Sequence, residues 1–192
     1  DVTRVLVTGS NGLIGHHLCR RLVDRGAEVI ALVHRRGDRL PNSPALLRFA
    51  GDVLDSASLA RALGEHGPVG AIAHLATEPP GDGARAGTNE TGTANILHAA
   101  REAGVRRVVF TSTMSVFDFL DPQLRLPLSE QHPVHPVDRY GLEKHLAEQL
   151  CRRAVDDGDL GVPILRLAGV YGPGKRRGAV YNFLYAALQG ES

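Results

Sequence analysis

A tyrosine and a lysine lie four positions apart in the stretch DRYGLEK, residues 138–144, which has the composition of a surface helix. Residues at i and i+4 of a helix share one face, so the ammonium of Lys144 would lie close to the phenol of Tyr140. A phenol is a weak acid with an ordinary pKa of about 10, and a nearby cation favours its phenolate form. The pair therefore has the chemistry of a proton donor and acceptor with its tuning cation. The same spacing also occurs in helices that merely carry a tyrosine.

A second chemical signal is the glycine-rich stretch TGSNGLIG, residues 8–15, which follows an apolar strand-like run and opens an amphipathic helix. Gly9, Gly12 and Gly15 have the spacing GxxGxxG, one residue wider at the first gap than GxGxxG. Such glycines allow a tight turn, close approach of the backbone to a pyrophosphate, and close packing of the helix on the strand. Glycines also make plain turns, but this place between a strand and a helix predicts a dinucleotide site.

The end of the second predicted strand, ALVHRRGD, bears on the kind of dinucleotide. An acidic residue here would accept hydrogen bonds from an adenosine ribose, but Val33 occupies the position. His34, Arg35 and Arg36 follow, and a guanidinium suits a 2′-phosphate through paired hydrogen bonds. The stretch favours NADP over NAD, with a solvated basic loop as the alternative.

Strand-like and helix-like segments alternate along the whole chain and would position these groups. The predicted strands are the short apolar runs 5–8, 29–33, 46–49, 71–74, 107–112 and 163–167. The predicted helices are about 13–25, 57–65, 88–103, 138–157 and 178–189. This βαβα order predicts an α/β fold with a doubly wound parallel sheet, Rossmann-like, in a single domain over residues 1–192. Ligands of such sheets bind at the carboxyl ends of the strands, where the strand order reverses.

The overall composition disfavours several classes of function. The formal charge is +1, from 22 Lys+Arg and 21 Asp+Glu, so no global field favours nucleic acid or an anionic membrane. No apolar run approaches the roughly 20 residues that span a bilayer, and the first ten residues lack a signal-peptide pattern. Cys19 and Cys151 are isolated, without metal-type spacing, which predicts reduced core thiols, no metal site and a cytoplasmic location. The chain starts without Met and stops in a helix-like segment, so we expect a fragment of a longer protein.

Several motifs, taken together and in order, resemble those of a known family. They are the glycine turn, GDV at 51–53, HLA at 74–76, TST at 111–113 and YGLEK at 140–144. The chain is similar over essentially its whole length to the extended short-chain dehydrogenase/reductase family, in the branch of NAD(P)-dependent epimerases and dehydratases. The resemblance implies an NAD(P)-binding Rossmann-like domain whose substrate-binding C-terminal region is largely absent from these residues.

The resemblance also implies roles for individual residues. Tyr140 and Lys144 match the YxxxK pair of the family, and Thr113 aligns with its catalytic Ser/Thr. Asp52 resembles an acid that contacts the adenine amino group, and Asn89 an asparagine that braces the region after the fourth strand. The predicted cofactor contacts are Gly9, Asn11, Gly12, Leu13, Ile14, Gly15, His34, Arg35, Asp52, Val53, Leu75, Ala76, Thr77, Asn89, Thr111, Tyr140, Lys144, Leu167 and Ala168.

The reaction that the resemblance implies is hydride transfer at a hydroxyl or carbonyl carbon by an NAD(P)-dependent oxidoreductase or epimerase. The substrate would be a nucleotide-linked sugar, although Gly169 stands where many enzymes of that class carry an asparagine. Met114 and Ser115 stand where some dehydratases carry an acidic pair, which disfavours dehydration. The alternatives are an NADPH-dependent reductase of a small carbonyl metabolite and a non-catalytic dinucleotide-binding module.

Two further expectations concern phosphate binding and assembly. Lys175, Arg176 and Arg177 follow the YGPG turn and are either solvated or contacts for a phosphate of the substrate. Family members commonly dimerise through the helix that carries YxxxK and the helix before the fifth strand. The resemblance therefore implies a homodimer.

Overall fold

The computed structural model describes residues 3–34, 39–78, 87–158, 160–176 and 178–190. Within these ranges the chain forms one layer of parallel strands with helices packed on both faces. The strands are β1 Arg4–Thr8, β2 Glu28–Val33, β3 Leu46–Ala50, β4 Ala71–His74, β5 Val108–Thr113 and β6 Ile164–Leu167. The helices are α1 Leu13–Asp24, α2 Ser56–Gly64, α3 Thr91–Glu102, α4 Arg139–Asp156 and α5 Ala179–Gln189, with a 3₁₀ turn at Met114–Val116.

The strand order of the sheet is β3-β2-β1-β4-β5-β6, and every described pair is parallel. The chain moves outward from β1 to β3, then crosses back to place β4 on the other side of β1. The strand order therefore reverses between β1 and β4, which opens a crevice at their carboxyl ends. The predicted doubly wound parallel sheet is confirmed.

Both faces of the sheet are buried, as continuous apolar strands require. On β1, Leu6 points to the core under α2, α3 and α4, whereas Val5 and Val7 point to the core under α1. Cys19 and Cys151 are both free and buried, one in each core. Burial raises the pKa of each thiol to about 12, so both thiols are unreactive at neutral pH.

The predicted boundaries differ from the observed ones by at most three residues, for local reasons. α2 begins at Ser56 because the Asp55 carboxylate accepts a hydrogen bond from the Ala57 N–H at 3.0 Å. α3 begins at Thr91 rather than 88, because residues 87–90 form a turn. β5 extends to Thr113, one residue beyond the prediction, so Thr113 is the last residue of the strand.

Two predictions from the sequence concern membrane-spanning helices and metal-binding side chains. Among the helices that the structure describes, none combines the length and apolarity that would let it cross a membrane. Among the described His, Cys, Asp and Glu side chains, no group of three or more is arranged to hold a metal ion.

Candidate functional site

The glycine turn after β1 is packed too tightly for larger residues. Gly9 has a positive φ of 64°, and a Cβ there would lie 2.7 Å from the Ala76 nitrogen. A Cβ on Gly15 would lie 2.1 Å from the Gly9 carbonyl oxygen, so α1 approaches its own entry turn closely. Gly12 is the N-cap of α1, and neither a side-chain cap nor an acid in the first turn covers that helix end. The exposed N–H groups and the positive end of the helix dipole fit an anionic group such as a pyrophosphate.

Two clefts meet at this turn. The larger has a volume of about 670 Å³ and the smaller of about 270 Å³. Both are lined by Gly9, Gly12, Leu75 and Thr77, at the carboxyl ends of β1 and β4. An elongated ligand with two halves joined near the glycine turn fits this arrangement.

The predicted cofactor contacts divide between the two clefts. Those that line only the smaller cleft are Asn11, His34, Asp52, Val53 and Ala76. Those that line only the larger cleft are Leu13, Ile14, Gly15, Thr111, Tyr140, Lys144, Leu167 and Ala168. The larger cleft also contains Thr113, so the structure brings the three predicted catalytic residues together. Arg35 lies outside the described residues.

Two polar side chains of the smaller cleft lie just after the ends of β2 and β3. Asp52 Oδ1 accepts a hydrogen bond from the Leu54 N–H at 3.0 Å, and Asp52 Oδ2 lies 3.4 Å from His34 Nε2. Val33 also lines this cleft, at the end of β2. The carboxylate of Asp52 and the imidazole of His34 can therefore both contact a ligand in this cleft.

A buried histidine joins β1 to the segment after β4. The Thr8 hydroxyl accepts hydrogen bonds from the Leu75 and Ala76 N–H groups at 3.1 and 3.0 Å, so its own hydrogen is left for His74 Nδ1, 2.8 Å away. On the other side, His74 Nε2 lies 3.1 Å from the Thr93 hydroxyl. The Thr93 hydroxyl donates to the Asn89 carbonyl oxygen, so it accepts from the Nε2–H of a neutral imidazole.

Asn89 braces the same segment from behind the clefts. Its Oδ1 accepts from the Thr77 hydroxyl at 2.7 Å, and its Nδ2 donates to the Glu78 carbonyl oxygen at 3.1 Å and to Glu143 Oε2 at 2.9 Å. Asn89 is buried and is not among the described residues that line either cleft. Its side chain thus acts through Thr77 and Glu78, which do line the smaller cleft, and it also connects that cleft to α4.

Lys144 is buried rather than exposed to solvent, although it lines the larger cleft. Its Nζ lies 4.2 Å from the centre of the Phe110 ring, within reach of a cation–π interaction. Burial lowers the pKa of Lys144 to about 8, while Cys151 and Glu148 act in the opposite direction. The ammonium is therefore the main form at neutral pH.

Thr113 lies at the junction of β5 and the 3₁₀ turn. Its hydroxyl oxygen accepts a hydrogen bond from the Ser115 N–H at 3.1 Å and lies 3.2 Å from the Ser115 hydroxyl. The backbone of Ser115 in turn contacts α4, because a Cβ on Gly141 would lie 2.2 Å from the Ser115 carbonyl oxygen. This close packing brings the first turn of α4, with Tyr140, against the residues that follow β5.

The loop after β6 closes the larger cleft from the side of α1. The Pro173 carbonyl oxygen lies 3.2 Å from His17 Nε2, and a Cβ on Gly174 would approach His16 and Leu13 at 3.9 Å. Lys175 and Arg176 consequently line the cleft, and the Lys175 ammonium donates to the Val170 carbonyl oxygen. Arg177 lies outside the described residues.

Sequence reasoning missed three groups of this site. Arg39 lines the larger cleft, and no spacing in the sequence indicates that place. Glu148, which is fully buried, forms an ion pair with the partly buried Arg166, with 2.7 Å between Arg166 Nη2 and Glu148 Oε2. The position of Glu148, four residues after Lys144 on the same helix face, is the signal that could have identified it.

Comparison with known proteins gives the family. The family model described as "NAD dependent epimerase/dehydratase family" matches residues 5–191. The chain is 28% identical over 180 residues to GDP-mannose 3,5-epimerase 1 of Oryza sativa subsp. indica, and the match covers 88% of this chain and 47% of that protein.

Two solved structures extend the comparison to the fold. The Bordetella bronchiseptica enzyme WbmG in complex with NAD and UDP is 27% identical with a TM-score of 0.85, and the match covers 100% of this chain and 61% of that one. DesIV, the dTDP-glucose 4,6-dehydratase from Streptomyces venezuelae with NAD bound, is 32% identical with a TM-score of 0.83. The match covers 98% of this chain and 63% of that one.

The chain spans about half the length of the curated relative and less than two thirds of the two solved chains. The family match nevertheless covers nearly all of its residues. The fold and the order of the motifs agree with it. The chain belongs to the NAD-dependent epimerase/dehydratase family.

Proposed function

We propose that this chain is the NAD(P)-binding domain of an enzyme that epimerises or oxidises a carbon bearing oxygen in a nucleotide-linked sugar. The observation that carries the proposal is the larger cleft, which holds the glycine turn together with Tyr140, Lys144 and Thr113. Support for the substrate class comes from the relatives, which include a GDP-mannose epimerase and a dTDP-glucose dehydratase.

The two clefts suit the two halves of a nicotinamide dinucleotide. The glycine turn would hold the pyrophosphate through the open N-terminus of α1. Asp52, in the smaller cleft, would accept a hydrogen bond from the adenine amino group. The bound nicotinamide would supply the hydride acceptor and donor. Leu167 and Ala168, in the larger cleft, would pack beside it.

The side chains of the larger cleft would manage the proton. Tyr140 would take the proton from the substrate hydroxyl in oxidation and return it in reduction. Lys144 lines the same cleft as an ammonium and would donate hydrogen bonds to the ribose hydroxyls of the nicotinamide. The Thr113 hydroxyl, which donates to Ser115 Oγ in this structure, would turn its hydrogen to the substrate oxygen and stabilise the charge that develops there.

Epimerisation is favoured over dehydration by the residues after Thr113. The 3₁₀ turn Met114–Val116 carries no carboxylate, whereas removal of water needs an acid and base pair beside the substrate. An epimerase needs the same tyrosine twice, first to accept a proton and then to return it.

The cofactor that we propose is NADP. The side chain of Val33, at the end of β2, offers no acceptor for a ribose hydroxyl. His34 lines the smaller cleft, and its imidazole would donate a hydrogen bond to a 2′-phosphate. Arg35, the next residue along the chain, would add a guanidinium.

Replacement of Tyr140 tests the function. In the full-length protein, Tyr140→Phe is expected to lower kcat on UDP-, dTDP- or GDP-linked sugars about 10²-fold or more, because the proton donor is lost. The dissociation constant for NADPH, measured by fluorescence titration, is expected to stay within about threefold of the wild-type value and to remain below that for NADH. Tyr185→Phe, on exposed α5, is the matched control and should keep wild-type kcat.

Other results would point elsewhere. NADPH binding by the wild-type protein without turnover of any sugar or carbonyl compound would favour a non-catalytic module. Turnover of small carbonyl compounds alone would favour a metabolite reductase. Tighter binding of NADH than of NADPH would contradict the proposed cofactor.

We also propose that the protein is a cytoplasmic homodimer. The two buried free thiols are consistent with a reducing compartment. α3 and α4 pack side by side, and α4 exposes Leu142 and Val155 on its outer surface. These apolar side chains would be covered in a dimer that pairs the two helices with those of a second copy.

A further inference from the structure

The carboxylate of Glu148 is buried on α4, one turn after Lys144, with 0% of the residue exposed. Ser112 donates to Oε1 at 2.6 Å, and Arg166 donates to Oε1 from Nε at 3.0 Å and to Oε2 from Nη2 at 2.7 Å. Arg152 Nη2, on the next turn of α4, lies 3.5 Å from Oε2. Burial tends to raise the pKa of Glu148, but the hydrogen bonds from Arg166 and Ser112 outweigh it and hold the pKa below its usual value. The group is therefore a carboxylate at neutral pH.

The partners of Glu148 lie on the two strands nearest the catalytic residues. Ser112 on β5 is the register partner of Arg166 on β6, and Thr113 follows Ser112 directly. Arg166 also contacts the Phe117 ring, with its guanidinium carbon 5.0 Å from the ring centre. Glu148 thus connects α4, which carries Tyr140 and Lys144, to the strand that carries Thr113.

Glu148 also differs in charge from the other neighbours of Lys144. His74 on β4 is neutral, because burial and then the charge of Lys144 lower its pKa to about 3. Burial raises the pKa of the Cys151 thiol to about 12, so this group is uncharged as well. Phe110 offers only the face of its ring. Among these described neighbours of Lys144, Glu148 is the one that carries a negative charge at neutral pH.

We propose that Glu148 is a positioning residue for the Tyr140 and Lys144 site, because its carboxylate fixes α4 on β5 and β6 and keeps the buried Lys144 amine charged. The catalytic meaning of this role rests on the proposed function. The charge on Lys144 does not rest on that function, because it can be measured without any substrate.

The composition of the chain offers a direct measurement. Lys144 and Lys175 are the two lysines of these 192 residues, so this chain, labelled with ¹³Cε-lysine, gives one NMR signal from each. Wild-type Lys144 is expected to titrate near pH 8, in line with its lowered pKa of about 8. In Glu148→Gln the midpoint should fall by on the order of one pH unit, because the counter-charge is lost while Arg166 stays nearby.

A second variant predicts the opposite shift. Arg166→Gln leaves the Glu148 carboxylate without its main cation and should raise the Lys144 midpoint. Asp156→Asn, which removes a carboxylate from the exposed end of α4, is the matched control and should leave the midpoint at its wild-type value. Lys175 serves as an internal reference in every sample. Because the two shifts have opposite signs, a general loosening of the fold cannot produce both.

Equal Lys144 midpoints in the wild-type, Glu148→Gln and Arg166→Gln proteins would overturn the proposal. Where turnover is measurable, the pH at which kcat falls on the alkaline side should move down with the Lys144 midpoint in Glu148→Gln. If Tyr140→Phe keeps full activity while the Lys144 shifts appear, the proposed function fails and the electrostatic role of Glu148 stands.

Discussion

Burial determines the protonation state of His74, the residue that joins β1 to the segment after β4. His74 is enclosed between β1 and α3, and the pKa of His74 is lowered from 6.5 to about 3, first by burial and then by the charge of Lys144. Its neutral imidazole donates from Nε2 and accepts at Nδ1, which is the pattern that Thr93 and Thr8 require. A protonated His74 would break the hydrogen bond from Thr8, whose oxygen holds the Leu75 and Ala76 N–H groups beside the glycine turn.

Protonation of His74 should therefore oppose folding in acid. Below pH 6.5 this histidine binds a proton in the unfolded chain, whereas in the folded chain it stays neutral down to about pH 3. The stability that neutral His74 contributes is therefore complete above pH 6.5 and is lost as the pH falls. We expect the free energy of unfolding, measured in urea, to fall between about pH 7.5 and about pH 5. This fall should be about 2 kcal/mol smaller in His74→Gln than in the wild-type protein. Glutamine can still accept from Thr8 and donate to Thr93.

The control for this prediction is His98→Gln, which changes an exposed histidine of α3. It should show the wild-type loss of stability between the two pH values. Equal losses in wild type and His74→Gln would mean that His74 is protonated in the folded chain, against the hydrogen-bond pattern.

At the scale of elements, the first turn of α4 sets the position of Tyr140, the proposed proton donor and acceptor. Asp138 caps the helix by accepting a hydrogen bond from the Gly141 N–H at 2.6 Å. Gly141 is buried against the Ser115 carbonyl oxygen, so the helix meets the 3₁₀ turn backbone to backbone. Tyr140 is thus one residue, and Thr113 two residues, from this contact between Gly141 and Ser115.

Gly141→Ala should displace the start of α4. A methyl group 2.2 Å from the Ser115 oxygen cannot be accommodated without movement, since its neighbour is backbone. We expect a loss of about 1–3 kcal/mol in the free energy of unfolding and a fall of about 10²-fold in kcat. Gly64→Ala, in α2 with nothing within 4 Å of the added Cβ, should stay within about 1 kcal/mol of the wild-type stability. Wild-type kcat in Gly141→Ala would show that this contact does not position Tyr140.

The molecule as a whole leaves apolar surface uncovered. No residue of α5 is buried, and its Phe183 and Leu188 are among the exposed large apolar side chains. On α4, Leu142 is 48% exposed and Val155 is 43% exposed. Exposed apolar surface of this kind marks sites of association, and the position of α4 beside α3 is the basis of the proposed dimer.

The mass in solution tests the dimer. Sedimentation equilibrium should give twice the chain mass of 20.6 kDa, and Val155→Arg should shift it towards the single-chain value by placing like charges against each other across the interface. Leu120→Arg changes an exposed residue outside α3 and α4 and should leave the mass at its wild-type value. A single-chain mass for the wild-type protein would contradict the proposed homodimer.

Much of this protein was predictable from its sequence alone, because the relevant rules are local. Apolar runs bounded by turns identified β1 to β6, and the glycine spacing after β1 indicated the turn on which both clefts meet. The spacing of Tyr140 and Lys144 placed both side chains on one face of a helix. The order of these motifs was enough to identify the family.

Tertiary structure alone decided how these groups are charged and held. Ser112, Glu148 and Arg166 lie on three different elements, and their contacts form only when α4 packs on β5 and β6. The burial that lowers the pKa of Lys144 to about 8 comes from the same packing. The Asn89 side chain accepts from Thr77 and donates to Glu78 and Glu143, and these contacts join the segment after β4 to α4 only in the packed chain. Desolvation and contacts between distant segments depend on the packed chain, so no local pattern of residues reveals them.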